Sequence, residues 1–178
     1  MRALAGLAAL AGAACAGPSA DDANVARGRG LQPAKLGVAG EAAVIDASAR
    51  AAFDFEPALV LLLHSNRLPR TAGMAGGTAT GALLAPLRAR GTVAGSCDPH
   101  HDMPRDTPSC GGMRAGYVIR PSEVFRLPGD TVELWFAAEA FGPERGKRPV
   151  ALRFEKIFQL VGRDERWRVV REARVKGE

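Results

Sequence analysis

Aromatic residues are scarce in this chain, with two Trp, one Tyr and seven Phe among 178 residues. The apolar fraction is 47%, so a core can still be built, largely from aliphatic side chains. Lysine is nearly absent: 20 arginines stand against 4 lysines, a skew that reads as high-GC codon usage. The net charge of +5 is mild. The densest basic stretch, Arg163 to Lys176, is interrupted by Asp164, Glu165 and Glu172. That pattern resembles a solvated strand face more than a phosphate-binding track, so no nucleic acid is expected as a partner. Outside residues 3–14, no apolar run approaches the roughly 18 residues a membrane helix needs; the longest strongly apolar one is Ala58 to Leu63. Catalytic signatures are missing too. There is no GxSxG around Ser65, no GK[ST] ending to the glycine-rich stretch after Arg67, no HExxH and no CxxC. No coherent catalytic set and no cofactor are expected.

What is present begins at the N-terminus. Met1-Arg2 supplies a minimal positive region, and residues 3–14 (ALAGLAALAGAA) form an uncharged apolar run. This has the length of a signal sequence and is too short to anchor as a span. Gly12-Ala13-Ala14-Cys15 resembles a lipobox, in which small residues precede a cysteine that is lipidated and becomes residue one. Gly12 stands where such sequences usually carry leucine. The other reading is ordinary signal-peptidase cleavage after Ala11-Gly12-Ala13 or Ala14-Cys15-Ala16, which would make the protein secreted. Residues 16–37 are small, polar and turn-prone, the composition of a flexible tether between a membrane and a folded domain over residues 38–178.

Three cysteines occur. If Cys15 carries lipid, Cys97 and Cys110 remain, and an even count in an oxidising compartment reads as one disulfide. On the chain-entropy view, closing a loop of that size contributes roughly 3 kcal/mol.

Along the chain, Ala39 to Phe53 has helical spacing. Ala42, Ile45, Ala49 and Phe53 share a face, with Glu41, Ser48 and Arg50 directed elsewhere. Ala58 to His64 is a continuous apolar run that reads as a buried strand, although periodicity does not separate it from a helix segment. Ala82 to Arg90 reads as a short helix capped by Gly91, although Pro86 lies inside it. Residues 92–114 read as a loop closed by the two cysteines. Four strands follow: Gly116 to Arg126, Thr131 to Phe141, Val150 to Val161 and Trp167 to Val175. The first pair is joined by Leu127-Pro128-Gly129-Asp130. In the second strand Val132, Leu134, Phe136 and Ala138 alternate with Thr131, Glu133, Trp135 and Glu139. In the third, only Lys156 interrupts an apolar face. The expected fold class is α+β: two N-terminal helices and a strand, then a four-stranded antiparallel meander.

That element order over residues 39–176, with its closing Trp167-Arg168-Val169-Val170, resembles the nuclear-transport-factor-like cone. In that family a bent sheet wraps helices and encloses a pocket. The resemblance implies a small apolar ligand, and it carries no catalytic residue onto this chain. The text also resembles uncharacterised bacterial exported lipoproteins.

The loop CDPHHDMPRDTPSC holds His100, His101 and Asp102. With His64, these are the candidate ligands for zinc or a similar divalent ion, since imidazole and carboxylate suit it. Adjacent histidines tend to diverge, and a solvated polar loop is the plainer reading. Trp135, on the polar face of its strand, is the candidate binding surface. The functional expectation is a membrane-tethered envelope lipoprotein acting as a binding or accessory domain. Its partners would be the membrane, through the N-terminal lipid, and an envelope protein or small apolar ligand. The alternatives are a small ligand-binding or enzymatic cone and a metal-binding envelope protein.

Overall fold

A computed structural model describes residues 31–54, 59–68, 78–97, 113, 115–141, 153–163 and 165–175. Seven strands and two helices run in the order β1 (Gln32–Pro33), α1 (Gly37–Phe53), β2 (Leu61–His64), α2 (Thr80–Ala89), β3 (Gly95–Cys97), β4 (Gly116–Arg126), β5 (Thr131–Phe141), β6 (Arg153–Arg163) and β7 (Arg166–Arg174). The strands join one sheet in the order β3-β2-β4-β5-β6-β7, with β1 also on β4.

This corrects the expected two helices and a strand followed by a four-stranded antiparallel meander. The sheet is mixed. β2 pairs in parallel with both β3 and β4, while the remaining pairs are antiparallel. The reason is physical. A parallel partner is reached through a crossover and leaves no local turn signal, and β3 is only Gly95-Ser96-Cys97 with no apolar run of its own. β2 does carry the mark of such a strand. All four of its residues are buried, as expected where a parallel strand is covered on both faces.

β4 organises the sheet. β5 follows it along its whole length, so β2 and β1 share its other edge. Leu61, Leu62 and Leu63 pair with Tyr117, Val118 and Ile119, and Gln32 and Pro33 pair with Arg126 and Phe125. Between these two pairings β4 bulges, with one extra residue between Pro121 and Val124. Proline has no N–H to give a ladder and is tolerated at such a place. The Ser122 hydroxyl accepts the Trp135 N–H at 3.0 Å and donates to Glu123 O at 2.7 Å, repairing the interrupted ladder.

Both helices pack on one face of the sheet. Val44, Ile45 and Ala49 of α1, with Leu83 and Leu87 of α2, meet Leu61, Leu63, Ile119, Leu134, Phe136, Phe158 and Leu160. Full burial of such a side chain contributes about 1.5–3 kcal/mol. At the end of α1, Phe53 sits 5.0 Å from Tyr117 and 5.4 Å from Phe154, ring centre to ring centre. α1 is buried over a wider arc than its apolar spacing predicts, because Glu41 and Ser48 are buried too. Ser48 Oγ donates to Val44 O at 2.9 Å, and the Glu41 carboxylate accepts from Arg67. Small alanines along α1 let it lie this close to its neighbours.

α2 ends in two reverse bonds around Gly91, whose φ is +70°. Gly91 N–H reaches Arg88 O and Thr92 N–H reaches Leu87 O, both at 2.9 Å, the pairing of a Schellman motif. The second sheet face carries a smaller cluster of Leu62, Cys97, Val118 and Phe141. Among the described residues no helix is long and apolar enough to cross a membrane.

Candidate functional site

A concavity rimmed by charge lies at the sheet end where β1 enters. Ala34 N–H extends the β1–β4 pairing by donating to Val124 O at 2.8 Å. The chain then turns into α1 at Gly37, whose φ is +68°. β1 and the start of α1 therefore fall inside the stretch whose composition reads as tether. Facing them are two turns. Leu127 N–H donates to Thr131 O at 3.0 Å and closes the β4–β5 turn, with Gly129 at φ +73°. The β6–β7 hairpin turns through Glu165 at φ +65°. Arg163 Nε donates to Asp130 Oδ2 at 2.8 Å, and Gly162 N–H to Asp130 O at 3.3 Å, so the two turns are tied together.

Between β1 and these turns runs a groove of about 660 Å³, lined by residues 32–36, Arg126, 129–132, Gly162, Arg163 and Trp167. Its floor holds Leu36, Val132 and Trp167. Its rim carries Lys35 and Arg126, both exposed and in no ion pair among the described residues, and Arg163, held by Asp130. Buried Trp167 Nε1 has no hydrogen-bond partner.

Trp167 also borders a second hollow of about 340 Å³ between α1 and β7. There the charges are largely consumed by one another. Arg50 Nε lies 3.0 Å from Asp46 Oδ1, which also accepts the Thr92 hydroxyl at 2.7 Å, and Arg90 pairs with Glu165. Among the described residues the larger groove offers two cations in no ion pair, Lys35 and Arg126, and the smaller hollow one, Arg166.

The residues singled out from the sequence are scattered. His64 closes β2 and is 8% exposed, with its Nδ1 accepting the Asn66 N–H at 2.9 Å. That bond makes it a boundary residue that shapes the chain's exit from the strand. Its register partner in β3 is Cys97. His100, His101 and Asp102 lie outside the described residues, and among the described residues no cluster of three His, Cys, Asp or Glu could hold a metal. Cys97 is disulfide-bonded, while Cys110 and Cys15 lie outside the described residues. Trp135, the candidate binding surface, is 5% exposed. Glu133 beside it is buried as well, because both faces of β5 are covered.

Two features of the described chain had no counterpart in the sequence reading. One is the groove rim, Lys35 and Arg126, which belong to segments 91 residues apart that meet only through the β1–β4 pairing. The other is the tie around Arg67. Its guanidinium donates to the Glu41 carboxylate and Ser122 O and lies 3.4 Å from Thr78 O, while Arg120 Nε donates to Arg67 O at 3.1 Å. This polar knot fastens α1, the segment after β2 and the β4 bulge to one another. With its acceptors drawn from the fold itself, it serves structure. No family model matches the chain, and neither a curated protein nor a solved structure matches it.

Proposed function

We propose that this chain is an exported protein tethered to the cell envelope by lipid on Cys15. Its folded domain would act as a binding or accessory module through the groove beneath β1. A disulfide between Cys97 and Cys110 belongs to the same reading, since an exported chain meets an oxidising compartment. The observation that carries the binding role is the groove's combination of apolar floor and unpaired Lys35 and Arg126, placed where the N-terminal segment joins the sheet. A volume of about 660 Å³ lies in the range of small-molecule sites. The space between the helices and the sheet is filled by the core side chains, so this reading uses the margin of the fold and not a pocket inside it.

Mass spectrometry of protein extracted from membranes of the expressing bacterium tests the tether. The expected result is a mature chain beginning at Cys15 and carrying diacylglycerol, with Cys15→Ser releasing the protein from the membrane fraction. A soluble product beginning at Ala14 or Gly17 would overturn it.

A further inference from the structure

We infer that the groove beneath β1 binds a single-chain anionic amphiphile, with its headgroup between Lys35 and Arg126 and its hydrocarbon chain along Leu36, Val132 and Trp167. This deepens the binding-module reading and rests on it.

The charge balance selects the headgroup. Three cationic side chains line the groove against one carboxylate, and that carboxylate, Asp130, is already held by Arg163. Lys35 and Arg126 are left with no ion pair of their own. Both line one groove: Gln32 sits opposite Arg126, and Lys35 follows three residues further along the chain. A carboxylate or phosphate at that rim gains a charge-assisted hydrogen bond from either. A neutral headgroup gains little, and a cationic one is repelled.

The floor selects the tail. A small inorganic anion would leave the half-buried Trp167 ring and Leu36 uncovered, whereas a hydrocarbon chain removes them from water. The close backbone approach at Gly162 keeps the groove shallow at the turns: a Cβ there would lie 2.0 Å from Arg166 O. In the smaller hollow on the other side of Trp167, Asp46 and Glu165 pair with the arginines at positions 50 and 90, leaving Arg166 as its remaining cation against two in the larger groove.

The test uses the full chain carrying Cys15→Ser, prepared without detergent. Dodecyl phosphate and dodecanoate are titrated below their micelle concentrations, with tryptophan fluorescence as the signal. Trp167→Phe identifies the responding ring, since Trp135 lies in the sheet interior. Inorganic phosphate, dodecyl maltoside and dodecyltrimethylammonium are the comparison probes. Saturable binding of the two anionic chains is expected. Lys35→Glu with Arg126→Glu should weaken it by about tenfold or more, with unchanged melting because both side chains are exposed. Equal binding of all three dodecyl headgroup classes overturns the anionic preference yet leaves the groove a binding site. Binding unaffected by the double variant, or no binding of any dodecyl chain, overturns the inference outright. Lipidation at Cys15 is read separately by mass spectrometry, so the tether stands or falls on its own.

Discussion

Glu41 and Arg67 show how a single pair can hold elements together. Their side chains are 9% and 15% exposed, and the guanidinium also reaches Ser122 O in the β4 bulge. Removing one member of a buried pair leaves the other charged and poorly solvated. Glu41→Ala is therefore expected to cost roughly 3 kcal/mol of unfolding free energy, read from urea titration, while Glu41→Gln keeps an acceptor and costs less. Tyr117, the chain's one tyrosine, offers a spectroscopic handle on the same core. Burial against Phe53 raises its phenol above the ordinary value, because the ionised form loses its hydration. The folded state then holds that proton more tightly than the unfolded chain does. The resulting stability is complete below about pH 10 and is lost as pH rises through the raised folded value. Melting curves taken below and above about pH 10 should show the parent losing more stability than Tyr117→Phe, and phenolate absorbance should appear above the ordinary pH. An equal loss in both proteins would refute the effect. Neither residue's role was legible beforehand. Glu41 looked solvent-directed on a helical wheel, and its partner lies 26 residues away. Lys156, by contrast, stood out as the one interruption of an apolar face. Its Nζ lies 2.7 Å from Glu172 Oε1 and 5.2 Å from the Phe154 ring centre, which accounts for a charge on that face.

At the scale of elements, the local rules worked wherever the signal was local. Alternation with a proline–glycine turn marked β4 and β5, and Gly91 marked the end of α2 despite Pro86. Bulges were not legible, since an extra residue changes register without changing composition. The one in β4 places Ser122 under Trp135, and the one at Gln159–Leu160 leaves Val170 47% exposed on the edge strand. Edge strands with bulges and arginines resist pairing with other chains, and β7 carries both. The β6–β7 hairpin depends on Gly162, which faces Trp167 across the ladder. A methyl there meets backbone that cannot move aside without opening the hairpin. Gly162→Ala is expected to lower unfolding free energy by about 1–3 kcal/mol and to weaken any ligand of the neighbouring groove. A shift in the urea midpoint at constant slope reads the first effect. An unchanged midpoint would show that the hairpin relaxes freely.

For the whole molecule, the sequence by itself determined what depends on near neighbours. Apolar content sufficient for a core, helical spacing in α1, the buried run of β2, and four long strands with their turns all follow from side-chain period and backbone preference. These act over a few residues. Tertiary structure decided which strands lie side by side. β2 inserts between β3 and β4, β1 completes the edge of β4, and the sheet becomes mixed instead of a plain meander. It also decided burial on the second sheet face, taking Trp135 and Glu133 out of solvent, and it built the groove that Lys35 and Arg126 both line. The physical reason is common to all three. Strand order and groove walls are set by contacts between residues far apart in the chain. Their energy depends on the surfaces that crossovers bring together, and a linear pattern of polar and apolar residues does not encode that pairing.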